Sequence, residues 1–341
     1  MIAAMLVAAT ACGAGGSSAN GGETVTLRVA DIYSKQHELY KNGIKPYMDK
    51  VEKKSHGRIK FKFYPSEQLA KGSDIPQAVQ SGTADIGNVL YLGNRAPLMY
   101  VVQLPGMFSD DEVVPASQAF WQFAQKNKTM QQNFKKLNMR PLWCYTTTNY
   151  QMAFTEHNVS TLADVQGKQI RASGAVLPYS VEAVGASSVD MDIGEATGAF
   201  NRGVIDGIAL SVPSVSAYGF YDLIKSAIVN LNMGGFPVCY TINNSTWESL
   251  SARDQKILTS VGNESVTHVS KALKAQVKED LASWRKHGIT TNTIDEATAK
   301  KKFTGVEKKW EKKTISSGAD AQAIRDGVDM WTRLLKKKLG S

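Results

Sequence analysis

Apolar residues along this chain follow two alternating spacings. Val25 to Ala30 is a short run of strand type. Tyr40, Ile44, Tyr47, Met48 and Val51 then recur at helical intervals and share one face. Pro46 falls inside that pattern and predicts a kink or a late start, and Gly57 ends it. Ile59-Lys60-Phe61-Lys62-Phe63 alternates apolar and basic residues, the period of a strand with one buried face. A short helix is predicted over 75–80 and a short strand over 83–87. Ala119, Phe120, Phe123, Phe134 and Leu137 predict one amphipathic helix ending near Met139, followed by a strand over 141–148. Thr161-Leu162-Ala163-Asp164 has the form of a capping box with Asp in place of Glu. Gly167 stops that turn, and Lys168 to Arg171 starts the next strand. Helices over 177–184 and 195–201 then alternate with strands over 189–193 and 204–210. From Trp247 the pattern is helical, over 247–262, 266–287, 297–313 and 320–339.

This β-α-β alternation predicts an α/β fold of mainly parallel sheets covered by helices on both faces. Ligands of such sheets bind beyond the carboxyl ends of the strands. That rule selects Asp31-Ile32-Tyr33, Tyr64-Pro65, Asn88 to Tyr91, Asn149 to Gln151, Arg171 and Ser211 to Ser214.

Composition narrows the class. With 341 residues, 43% of them hydrophobic, the chain can fill real cores, which excludes disorder as its main state. Three Cys exclude a disulfide scaffold, and no apolar run reaches the roughly 20 residues of a membrane-spanning helix. The net charge of +9 is local: residues 265–341 hold 17 Lys/Arg against 9 Asp/Glu. The clusters there are Lys-dominated and lack interleaved aromatics, so they read as a solvated helix face, and no nucleic-acid partner is expected. Ile2 to Ala11 is a ten-residue apolar run suited to a secretory signal, and Gly13 to Gly22 is a Gly/Ser-rich tether. Ala9-Thr10-Ala11-Cys12 resembles a bacterial lipoprotein cleavage site, which makes Cys12 the expected lipidated residue of an exported, membrane-anchored protein. It departs from that pattern in having Ala at its first position and no Lys or Arg before the apolar run, as if translation starts further upstream.

No catalytic signature is present: no Gly-x-Ser-x-Gly, no His-Glu-x-x-His, no Walker loop and no Gly-x-Gly-x-x-Gly. The five His share no ligand spacing, and the Cys form no Cys-x-x-Cys, so no metal or cofactor is expected. Cys144 and Cys239 both fall in strand-like runs, as buried thiols or as a disulfide. Asp190-Met191-Asp192 lacks the Gly and Glu of a calcium loop and reads as a strand end. Arg171 ends a strand where the α/β rule puts a ligand. Its planar guanidinium suits two-point capture of a carboxylate, with a structural ion pair as the alternative.

Several segments in order carry a family likeness. They are Val51 to Ile59, Tyr64 to Leu69, Val79 to Ile86, Leu162-Ala-Asp-Val-Gln-Gly-Lys-Gln-Ile-Arg171, Gly203-Val-Ile-Asp-Gly207 and Asn243 to Leu250. From about Val25 onward the chain resembles the solute-binding proteins of TRAP (tripartite ATP-independent periplasmic) transporters, of the dicarboxylate-binding type. The resemblance implies two periplasmic-binding-protein-like lobes, a ligand cleft between them and long bracing C-terminal helices. It also implies that Arg171 clamps the carboxylate of an organic acid delivered to membrane permease subunits, by a monomer without enzymatic activity. The expected division is a signal and tether over 1–23, lobe I over 24–147 plus 211–250, and lobe II with the bracing helices over 148–210 plus 251–341. The expected ligand-binding residues are Arg171, Asn88, Tyr33, Gln151, Asn149, Tyr91, Ser211, Pro213 and Phe236. The chain departs from the sugar-acid-binding members. Asp206-Gly207 is followed by Ile208-Ala209-Leu210-Ser211, without their ligand-binding Asn, so Leu210 or Ser211 stands in its place. Tyr145 to Phe154 contains no second Arg. One cation beside Tyr33, Tyr91, Tyr150 and Phe236 points to a monocarboxylate with an apolar or aromatic body. The alternatives from other classes are an exported hydrolase and a lipid-anchored scaffold without a small ligand.

Overall fold

A computed structural model describes residues 24–340. The signal, the tether and Cys12 lie outside the described residues. Eleven strands form: β1 (Val25–Ala30), β2 (Ile59–Tyr64), β3 (Ile86–Val89), β4 (Met139–Thr146), β5 (Tyr150–Phe154), β6 (Gln169–Arg171), β7 (Ser187–Val189), β8 (Gly207–Ser211), β9 (Ser226–Ile228), β10 (Pro237–Asn243) and β11 (Thr290–Asn292). They make two sheets, ordered β2-β1-β3-β10-β4 and β11-β9-β5-β8-β6-β7. Five of the nine pairings are parallel. The antiparallel ones involve β10 and β5, which flank the places where the chain changes sheet. Cys144 and Cys239 face each other across β4 and β10 and are joined as a disulfide.

The two sheets define two lobes, and three of the crossings that link them precede β11. Residues 147–149 carry the chain from β4 to β5, and residues 229–236 carry it back. These strips bond to each other, Thr147 N donating to Phe236 O at 3.0 Å and Tyr150 N to Gly234 O at 2.8 Å. The third crossing is the helix Ala252–Lys286, about 52 Å long. Near its start Asp254 accepts from Arg58 of the first lobe at 2.8 Å. Near its end Trp284 Nε1 donates to Ser216 Oγ of the second at 2.9 Å.

Several expectations are corrected. Ser211 ends β8 and β9 pairs with β5 and β11, so Ser211, the helix Val212–Ala217 that follows it and residues 226–228 go with the second sheet, not with 211–250 in the first lobe. The helix Ala321–Leu339 does not belong to the second lobe. It packs on the first, with Trp331 edge-on to Phe120 at 6.3 Å. The helix expected to end near Met139 breaks in two at Asn127, whose side chain accepts from Met130 N and caps the second piece. Gly262 was expected to end a helix but lies within an unbroken one. Its missing side chain lets the helix meet β4: a Cβ there would fall 2.5 Å from the Leu142 carbonyl oxygen. Gly305, at φ +91°, separates the helices Glu296–Lys302 and Val306–Ser316, which had been taken as one. Pro46 sits in the first turn of the helix Lys45–Lys54, after a π-helical turn over Tyr40–Ile44, which is the late start its position predicted.

Candidate functional site

The carboxyl ends of β1, β3, β6 and β8 converge between the lobes on a small cleft of ≈ 30 Å³. From the first lobe come Ile32, Tyr33, Leu90 and Tyr91. From the second come Tyr150, Arg171, Ile193, Leu210, Ser214 and Tyr218. Thr147 and Phe236 belong to the crossing strips. Phe236 stacks on Tyr150 at 5.7 Å and 18° and meets Tyr91 edge-on at 6.1 Å, which builds an aromatic wall. Burial pushes the hydroxyls of Tyr33, Tyr91, Tyr150 and Tyr218 upward, so all four stay protonated and able to donate. Among the described residues, no carboxylate lines the cavity.

Arg171 is 2% exposed. Its Nε and Nη2 both donate to the Met191 carbonyl, at 3.1 and 2.9 Å. Among the described residues it forms no ion pair. A buried guanidinium without a counter-charge is costly, and a carboxylate entering the cavity would relieve that cost. The strand end arises as the sequence predicts. Asp164 Oδ2 accepts from Thr161 N at 2.8 Å, Gly167 turns with φ +77°, and Gln169 to Arg171 then pairs with β7 and β8.

Beneath the first-lobe wall lies a polar cluster. Asp31 accepts from Tyr240 Oη at 2.7 Å, Asn88 Nδ2 at 3.0 Å and Tyr33 N at 3.1 Å, and burial pushes its carboxyl up to about 6. His37 lies between the rings of Tyr33 and Tyr218, at 4.3 and 4.8 Å, and burial pushes it down to about 3, so it is neutral.

Of the residues expected at the ligand, Arg171, Tyr33, Tyr91 and Phe236 line the cavity. Asn88, Asn149, Gln151, Ser211 and Pro213 do not. Asn88 is engaged by Asp31. Asn149 donates to Phe108 O at 2.9 Å and accepts from Gly234 N at 3.1 Å. Gln151 Oε1 accepts from Asn230 N and Leu231 N at 2.9 and 2.8 Å. These amides satisfy backbone groups that the irregular crossing strips leave without ladder partners. Ser211 donates to Ser214 at 2.8 Å, and it is Ser214 that lines the cavity, while Pro213 starts the helix Val212–Ala217. Tyr150 and Leu210, which the pattern had brought close, are lining residues. Thr147, Ile193 and Tyr218 were not anticipated. Tyr218 stands four residues after Ser214, and that helical spacing was its available signal.

The family model described as DctP, bacterial extracellular solute-binding protein family 7, matches residues 30–316. In fold the chain is similar to a TRAP solute-binding protein of Rhodoferax ferrireducens T118, crystallised with copurified benzoate. The TM-score is 0.84 at 23% identity, covering 93% of this chain and 99% of that one. It is also similar to a TRAP solute-binding protein from an unidentified marine-metagenome microbe, specific for aromatic acid ligands and crystallised with 3-hydroxybenzoate. There the TM-score is 0.83 at 22% identity, with 93% and 99% covered. In sequence it is 25% identical over 266 residues to the sialic acid-binding periplasmic protein SiaP of Vibrio cholerae, covering 74% of this chain and 78% of that protein.

Proposed function

The chain belongs to family 7 of the bacterial extracellular solute-binding proteins, and from that premise we propose that it binds a monocarboxylate with a single aromatic ring. The family consists of extracytoplasmic receptors rather than enzymes. Capture of an organic acid for a TRAP-type secondary transporter is therefore its role, and the hydrolase and scaffold alternatives fall away. The observation that carries the narrower reading is Arg171, a buried cation without an ion-pair partner among the described residues, in a cavity otherwise lined by rings, aliphatic side chains and hydroxyls. One guanidinium matches one carboxylate. The lack of a lining carboxylate among the described residues disfavours an ammonium-bearing ligand. The proteins similar to it in fold that hold benzoate and 3-hydroxybenzoate support the same chemistry.

Calorimetric titration of benzoate, 3-hydroxybenzoate and succinate tests this. The aromatic acids should bind and succinate should not. Arg171→Ala should weaken benzoate by about 30-fold to several thousand-fold, the cost of truncating one partner of a buried charge pair. Failure of every aromatic acid to bind, or undiminished binding by a folded Arg171→Ala, rejects the reading. We further propose that residues 1–23 direct export, that Cys12 becomes a lipidated N-terminus, and that the protein meets its permease as a monomer. The intact mass of protein taken from native membranes checks the lipid, and an unmodified Cys12 would refute it.

A further inference from the structure

Gln103 ends the 3-10 helix Pro97–Gln103 of the first lobe and is 1% exposed. Its side chain crosses to the second lobe and enters the segment that follows Arg171. There its Nε2 donates to Ser173 O at 3.2 Å, and its Oε1 accepts from Ala175 N and Val176 N, each at 3.1 Å. Gly174, at the centre of that loop, has φ +103°, and a Cβ on it would fall 2.3 Å from Gln103 Nε2. The loop is thus shaped around the amide. The helix Leu177–Ala183 that follows has no side-chain cap of its own, so the other lobe supplies the acceptor for the N–H groups that lead into it. Ser173 then donates to Met191 O at 3.1 Å, the same carbonyl that accepts both bonds from Arg171.

We propose that Gln103 is a positioning residue for the anion anchor: by gripping residues 173–176 from the opposite lobe, it holds Ser173, Met191 and Arg171 in the arrangement that presents the guanidinium to the ligand. The proposal rests on Arg171 being the carboxylate anchor. It adds that anchor geometry and lobe closure are coupled through one side chain. An acid that binds an oriented Arg171 more tightly than a loose one then favours the closed state by that difference in affinity.

The test uses the full chain, with benzoate as the probe. Gln103→Met conserves volume and removes all three bonds, whereas Gln103→Glu keeps the acceptor for Ala175 and Val176. In benzoate-saturated protein, where the lobes are closed, Gln103→Met should speed hydrogen exchange over residues 172–178 and leave the β1–β2 region unchanged. It should weaken benzoate by about tenfold in the parent background and by less than about twofold in an Arg171→Lys background, the signature of coupled residues. Gln103→Glu should fall between Gln103→Met and the parent, and it carries the titration if Gln103→Met does not fold. Unchanged exchange, unchanged affinity, or an equal loss in both backgrounds overturns the proposal while leaving the function of Arg171 intact. If the parent itself binds no benzoate, the carboxylate reading of the site falls, and this inference falls with it.

Discussion

Asp31 is a carboxyl group held in the core by three donors, and its charge is disfavoured by burial even so. Its folded value, about 6, lies above the ordinary value of about 3.9. Between about pH 4 and 6 the folded chain therefore keeps a proton that the unfolded chain has released. The stability it contributes is fully present below pH 4 and is lost as pH rises through 6. Asp31→Asn should remove this dependence, since the Tyr240 hydroxyl can turn to accept from the new amide. Relative to the parent, the variant should gain up to about 3 kcal/mol between pH 4 and 7.5, measured by denaturant melts across that range. A constant difference at all pH values would mean that Asp31 titrates alike in the folded and unfolded chain. Arg171→Lys belongs to the same scale: it keeps the charge and loses the fork, so benzoate binding should fall by about tenfold, less than for Ala. The place of Arg171 in the cleft was legible in the sequence because a strand end fixes where the side chain lies without any tertiary knowledge. Asn149 and Gln151 fall outside the cleft lining for the complementary reason: an amide at a strand end serves a ligand and an unpaired backbone N–H equally well. Only the path of the crossing strips shows which it does.

At the scale of elements, strand and helix alternation could be followed through most of the chain, because each amphipathic face repeats at its own period. The failures cluster at residues with two roles. Gly262 has the composition of a helix stop, yet it is the contact point of a continuous helix against a strand backbone. Helix propensity alone predicts that Gly262→Ala stabilises the helix by about 1 kcal/mol. The close approach predicts the reverse, because the obstructing atom is the Leu142 carbonyl of β4, which is fixed in a sheet. Gly262→Ala should lose about 1–3 kcal/mol, the usual range for overpacking, and a thermal or chemical melt reads the sign directly. A stabilised variant would show that the helix can move away from β4 at little cost. Asn127 failed in the opposite sense. An apolar pattern runs across it, and only the cap it donates to the second helix reveals the break.

At the scale of the whole molecule, the cleft between the lobes is narrow, with ≈ 30 Å³ of free space. Its lining comes from both lobes, and most of it is buried, so a ligand enters only when the lobes part. Small-angle scattering should give a larger radius of gyration without ligand than with saturating benzoate, as the acid selects the closed form. Superimposable curves would exclude a hinge. The crossings at 147–149 and 229–236 are where such a rotation is accommodated, since they are held by side-chain amides and a few cross-strip bonds rather than by a long ladder. Two lobes and a cleft were foreseeable from the family likeness. Which lobe owns β9 and the helix Ala321–Leu339 was not, because sheet membership is decided by pairings distant in sequence.

Those distant pairings also govern how the molecule comes into being. The chain is synthesised amino end first. Its first sheet needs β10, and so waits for residue 243; its second needs β11, and so waits for residue 292. Until then β3 and β4 present open edges to any other extended chain nearby, the condition in which strands pair wrongly. When β10 arrives it fills both edges at once, and the Cys144–Cys239 bond then fastens it to β4. The lobe that begins the chain is thus completed by a strand threaded in from beyond most of the other lobe, so it cannot mature as an independent unit.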